Sequence, residues 1–126
     1  MHNTEHTEQV TLVRWFRDTY PAGHYRIFAV PNGEFRHKSV AQRLNSEGVT
    51  SGISDLIILD RVKHRVLFLE MKKTRKTLKN GSPSKENLAS PEQIEFLEFV
   101  NGIECCDGIV AYGYLEAKEL VTQWLD

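Results

Sequence analysis

Apolar and polar positions along the chain follow two periods, and the switches between them mark the elements. Leu12, Trp15, Phe16 and Thr19 recur at three- and four-residue spacing, which predicts a helix from about Thr4 to Thr19 with Thr4 as its N-cap. Pro21-Ala22-Gly23 ends that helix. The alternating, aromatic-rich run from Tyr25 to Val30 then predicts a strand, stopped by Pro31-Asn32-Gly33. Val40, Ala41 and Leu44 form the stripe of a second helix over His37 to Glu47, with Gly48 past its end. After the turn-rich Gly48 to Gly52, the run Ile53 to Asp60 predicts a buried strand with one acid, Asp55, at its entry. A polar turn, Arg61 to His64, leads to a third strand, Arg65 to Lys72, most simply its hairpin partner. Lys73 to Ala89 is long, basic and rich in Gly, Ser and Pro, and predicts a mobile loop. Ser90-Pro91-Glu92-Gln93 opens a helix with Ile94, Leu97 and Val100 inward and Gly102 at its close. A fourth strand over Asp107 to Tyr114 and an amphipathic helix over Glu116 to Leu125, carrying Leu120, Val121 and Trp124, complete the chain. The order αβαββαβα predicts the α/β class, a mixed β-sheet flanked by helices.

Composition narrows the classes. A length of 126 residues predicts one domain, 1–126, with a modest core. At 40% hydrophobic the chain is too apolar for disorder, and no apolar run approaches the roughly 18 residues of a membrane span. No basic n-region and apolar h-region open the chain, so no signal peptide is expected. The two cysteines, Cys105 and Cys106, are adjacent and cannot staple distant segments; packing residues in a reducing, cytoplasmic compartment are expected. The net charge of −1 conceals a partition. Residues 1–85 hold 15 Lys+Arg against 8 Asp+Glu, whereas residues 86–126 hold Lys118 alone against nine acids. Such asymmetry points to a polyanion partner.

The third strand carries the sharpest chemistry. Side chains alternate on a strand, so Leu67, Leu69 and Met71 share one face and Glu70 and Lys72 the other, about 7 Å apart. With Asp55 on the neighbouring strand they make an Asp/Glu/Lys cluster. Two hard carboxylates suit Mg²⁺ or Mn²⁺ with positions open for water and a phosphate oxygen, and the lysine can stabilise charge on that phosphate or help deprotonate water. A second Glu-x-Lys, Glu116-Ala117-Lys118, falls on a helix, where positions two apart do not face each other. Each residue also has a plain structural role: Asp55 as a turn aspartate, Glu8 as helix-start charge, Gln93 as the third residue of a capping box.

Their order in the chain gives them weight together. Glu8-Gln9, Pro31-Asn32-Gly33, Gly48-Val-Thr-Ser-Gly52-Ile-Ser-Asp55, Phe68-Leu-Glu70-Met-Lys72 and Ser90-Pro-Glu-Gln93 follow one another. In that order the sequence resembles the virus-type replication-repair nuclease (VRR-NUC) domain of the PD-(D/E)xK superfamily, from about Glu5 to Tyr114. Ser54 stands where the superfamily pattern has proline, a position that shapes a turn and supplies no ligand. The resemblance implies a restriction-endonuclease-like core and metal-dependent hydrolysis of DNA to a 5′-phosphate and a 3′-hydroxyl. It implies Asp55, Glu70 and the Met71 carbonyl as Mg²⁺ or Mn²⁺ ligands and Lys72 as the lysine acting on water. Gln93 and Glu8 are accessory in that scheme, Glu8 through metal-bound water. Lys73, Arg75, Lys76, Lys79 and Lys85 then fall where flanking phosphates lie, with Asn32, Arg36, Lys38 and Arg43 as a second DNA contact region. Small size and family analogy suggest a homodimer acting on branched or Holliday-junction-like DNA in a phage or bacterial replication-repair setting. A flap, nicking or restriction-like nuclease and an inert nucleic-acid-binding module are the alternatives.

Overall fold

The computed structural model describes residues 5–31 and 38–126, without the side chains of residues 38, 39 and 41. Its elements are α1 (Glu5–Thr19), β1 (Tyr25–Ala29), α2 (Lys38–Ser46), β2 (Leu56–Asp60), β3 (Arg65–Lys72), α3 (Pro91–Asn101), β4 (Cys106–Tyr112) and α4 (Tyr114–Leu125). This is the mixed α/β order that the hydrophobic periods predict. The Thr4 cap, Asn32 and Arg36, together with the Lys38 side chain, lie outside the described residues.

One four-stranded sheet runs in the order β1-β2-β3-β4. β1, β2 and β3 form an antiparallel meander with Ile27 opposite Ile58 and Ile58 opposite Leu67. β4 pairs parallel with β3, Leu69 beside Ile109 and Met71 beside Ala111, which requires the long connection through α3. On one face Ile27, Leu56, Ile58, Leu67, Leu69, Met71 and Ala111 pack against Leu12 and Phe16 of α1 and Ala117 and Val121 of α4. These side chains are essentially removed from water and supply most of the apolar burial that holds the fold. α3 covers the opposite face, where Phe96 meets Phe68 edge-on at 5.7 Å between ring centroids. The alternation within β3 therefore sorts two layers, with Glu70 on the α3 side.

Four features differ from expectation. Ile94 is 44% exposed rather than inward, because the sheet-facing stripe of α3 is Gln93, Phe96, Leu97 and Val100, spaced i, i+3, i+4, i+7, and Ile94 lies beside it. In α2, Val40 is exposed and Leu44 half-buried, so its stripe joins no buried core among the described residues. The stretch expected to be a loop carries a small hairpin: Thr77 bridges Pro83, Ser84 N–H donates to Lys76 C=O at 2.7 Å, and Leu78 N–H to Ser82 C=O at 2.8 Å. Asn80-Gly81 makes its turn. Gly81 has φ +84°, and the Asn80 side chain accepts from the Ser82 N–H and hydroxyl. Cys105 is exposed and only Cys106 is half-buried, so the pair packs less than expected.

The far end of the sheet is tied to the chain end. Buried Asp60 accepts from the Val62 and Lys63 N–H groups and pairs with Arg65 at 3.0 Å. The Arg65 guanidinium stacks on Trp124 and donates to its carbonyl, and the Trp124 indole donates to Asp107 at 2.8 Å.

Candidate active site

β2 starts three residues short of β3's exit, since its first residue, Leu56, pairs with Leu69 while β3 runs on to Lys72. Asp55 fills the missing rung: its Oδ2 accepts the Met71 N–H at 2.9 Å, and its own C=O accepts the Val30 N–H at 2.8 Å. The carboxylate is thus fixed to β3 by a backbone donor, and the Asp55 main chain to β1's exit. A strand turns the N–H and C=O of one residue to the same edge, so the Met71 carbonyl faces the gap that Asp55 occupies. Lys72 points its carbonyl the other way, to the Gly113 N–H at 2.9 Å.

Glu70 is 1% exposed, and its Oε1 is a buried oxygen with no hydrogen-bond partner. Burial, then the hydrogen bond with Asp55 and its charge, push its carboxyl to about 9, with Glu5 adding to the rise and Lys72 opposing it. Lys72 Nζ stands 4.0 Å from Glu70 Oε2 with its side chain 15% exposed. Glu5, Asp55 and Glu70 each present a carboxylate oxygen, all within 4.8 Å of one another. Three carboxylates so close repel when ionised, and a shared proton or a cation relieves them. Together with the orphaned Glu70 oxygen and the Met71 carbonyl, this donor set fits a hard divalent cation.

Glu5 is the member that the sequence reading passed over. Its signal is the Glu5-x-x-Glu8 spacing on α1, which puts both acids on one face. Glu8 does not join the group. Its Oε1 accepts from the Thr74 hydroxyl at 2.6 Å and the Tyr114 N–H at 3.1 Å, and its Oε2 accepts the Thr74 N–H at 3.0 Å. It is 6% exposed and joins α1, the exit of β3 and the start of α4. Gly113, at φ +96°, sits against this junction; a Cβ there would collide with the Thr74 hydroxyl.

Gln93 completes its capping box, with Oε1 accepting the Ser90 N–H at 2.8 Å and its own N–H bound to Ser90 Oγ. Gly52, at φ +84°, approaches the first turn of α3 so closely that a Cβ would sit 3.1 Å from Glu92 atoms. The turn preceding Asp55 is thereby packed on the α3 start. Ser54 is fully buried with an unpartnered hydroxyl.

Lys73, Arg75, Lys76, Lys79 and Lys85 are all exposed on the hairpin segment, and Arg43 is exposed on α2. The Arg75 guanidinium lies 3.6 Å over the Tyr112 ring, which fixes one cation beside the end of β4. Five exposed cations of the first 85 residues thus follow Lys72 directly in the chain.

No family model matches the chain, and no curated protein matches it. Among solved structures it is similar to a protein described as a "VRR_NUC domain protein", with a TM-score of 0.70 and 22% sequence identity, over 99% of this chain and 90% of that one. A likeness of that extent at that identity speaks to architecture. The chain has the fold of a VRR_NUC domain protein.

Proposed function

We propose that the chain is a single metal-dependent nuclease domain that hydrolyses DNA phosphodiester bonds. One observation carries this reading. On a nuclease-type fold, the carboxylates of Glu5, Asp55 and Glu70 converge within 4.8 Å around an oxygen that nothing else satisfies, with Lys72 beside them. Asp55, Glu70, Glu5 and the Met71 carbonyl would hold a Mg²⁺ or Mn²⁺ ion, which neutralises phosphoryl charge and makes water more acidic.

The remaining work belongs to the chain. Lys72, held against Glu70, orients the attacking water or donates to the phosphoryl oxygen as charge develops. Glu8 serves as a positioning residue: by holding Thr74 and Tyr114 it fixes the backbone that follows Lys72. Gln93 supports the site from the α3 cap. Lys73, Arg75, Lys76, Lys79 and Lys85 bind flanking phosphates, with Asn32, Arg36, Lys38 and Arg43 as a second DNA contact region assigned from sequence. The products are a 5′-phosphate and a 3′-hydroxyl. We further propose structure-specific action on branched DNA by a homodimer, in the cytoplasm of a bacterial or phage-infected cell.

The test is incubation of supercoiled and cruciform DNA with Mg²⁺, Mn²⁺ or EDTA. Cleavage is expected with metal only, and Glu70→Gln should reduce it by a factor of about 10³ or more. Cleavage that survives in EDTA, or in the Glu70→Gln protein, would sink the metal mechanism. Binding without cleavage of any DNA form would favour an inert binding module.

A further inference from the structure

Residues 73–85 carry five Lys and Arg and no acid, yet two large apolar side chains remain in water on this excursion. Leu78 is 47% exposed at the hairpin and Leu88 44% exposed at its return. With Pro83 they line an open groove whose other walls include Arg75, Ser84 and Lys85, with Glu86 as the lone acid on its lip. Exposed apolar surface rimmed by cations is costly to solvate and marks a binding surface. The hairpin holding it is braced rather than slack. Cross-strand bonds join Lys76 to Ser84 and Leu78 to Ser82, and Glu8 fixes Thr74 at its base. Arg75 is fixed there too, by its stack on Tyr112.

A duplex presents phosphates but hides its base faces. Lysines alone suffice for the first; Leu78, Leu88 and Pro83 have no use there. An unstacked base offers an apolar face of the right kind, and its backbone phosphates suit Arg75 and Lys85. Extruding a base costs least where it is already unpaired. Arg75 is three residues beyond Lys72, so at about 3.6 Å per residue its Cα lies within roughly 11 Å of that lysine's Cα. That span corresponds to about three nucleotides of rise along one DNA strand.

We propose that the Leu78–Leu88 groove is a subsite for one unpaired nucleotide, about one to three positions from the scissile phosphate. The inference deepens the nuclease reading and rests on it: the preferred substrate is DNA with an unpaired base next to the cleavage point, rather than continuous duplex.

The test reads binding without cleavage, using the full chain with Glu70→Gln in EDTA. One probe is a short duplex with a paired 2-aminopurine; the other is the same duplex with that base as a single-nucleotide bulge. The bulged DNA is expected to bind about tenfold tighter or better, with a change in 2-aminopurine emission. Adding Leu78→Ser and Leu88→Ser should bring the two affinities within about twofold, leaving duplex affinity and melting temperature unchanged. Equal affinity for both probes in the Glu70→Gln protein, or a preference that persists in the double serine variant, overturns the proposal. Loss of metal-dependent cleavage in the preceding experiment would remove the nuclease reading without altering this binding result, so the two failures are distinguishable.

Discussion

Glu70 is held in a state that its surroundings resist. Its carboxyl is 1% exposed, with one oxygen lacking any donor and Asp55 and Glu5 nearby, and among the described residues Lys72 at 4.0 Å is the group that favours its ionised form. Ligand linkage follows: an ion that binds only this folded arrangement stabilises the protein by about 2.7 kcal/mol at a hundred times its dissociation constant. Mn²⁺ is therefore expected to raise the melting temperature of the wild type by several degrees in a thermal scan, and to leave Glu70→Gln and Asp55→Asn unmoved. An equal rise in Glu70→Gln would place the ion elsewhere. The pairing of Glu70 with Lys72 was legible from strand alternation alone, and Asp55 from its place before an apolar run. That the carboxylate standing with Asp55 and Glu70 is Glu5's was not, because helical spacing puts Glu5 and Glu8 on one face. Glu8 is taken up instead by Thr74 and Tyr114, 66 and 106 residues away in sequence.

Elements meet at two junctions, one at each end of β3. At its exit, Gly113 occupies φ +96° with the Thr74 hydroxyl and Glu8 against its Cα. Gly113→Ala should cost about 2 kcal/mol or more, since an L side chain is strained there and would displace the Thr74 contact. A urea titration reads this directly, and an unchanged midpoint would show that the junction bears no stress. At its entry, burial raises the Asp60 carboxyl, but the Lys63 and Val62 N–H groups and Arg65 outweigh burial and hold it below its ordinary value of 3.8. A depressed folded value contributes stability that is present above 3.8 and lost as pH falls through the folded value. Asp60→Ala should thus cost about 2 kcal/mol near neutrality, with the gap from wild type narrowing below pH 3.8. A gap that stays constant from pH 7 to pH 3 would contradict the charge assignment. Strand and helix positions were largely readable, because β2, β3 and α1 are strongly periodic. The hairpin within residues 73–89 was hidden: its few polar rungs leave no hydrophobic period, and only Asn80-Gly81 announces it.

For the whole molecule, the uneven charge has a spatial meaning. The basic hairpin follows Glu70 and Lys72 at β3's exit, while the acidic closing segment forms the supports α3, β4 and α4. The near-zero net charge therefore does not oppose the proposed binding of DNA. The proposed homodimer is expected to sediment as two chains at micromolar concentration; a single chain there would remove that part of the reading. No helix among the described residues is long and apolar enough to cross a membrane.

The parallel pairing of β3 with β4 has an evolutionary consequence. Parallel neighbours need a crossover, and here it runs through residues 73–105, so the nucleotide-facing hairpin sits inside a connection the sheet requires anyway. Closure entropy grows only slowly with loop length, about 0.6 kcal/mol per doubling. The excursion between Thr74 and Ser90 can thus be lengthened, shortened or exchanged while the register of β3, and with it the spacing of Glu70 and Lys72, stays put. The scaffold thus separates the part proposed to choose the substrate from the part that fixes the carboxylate spacing.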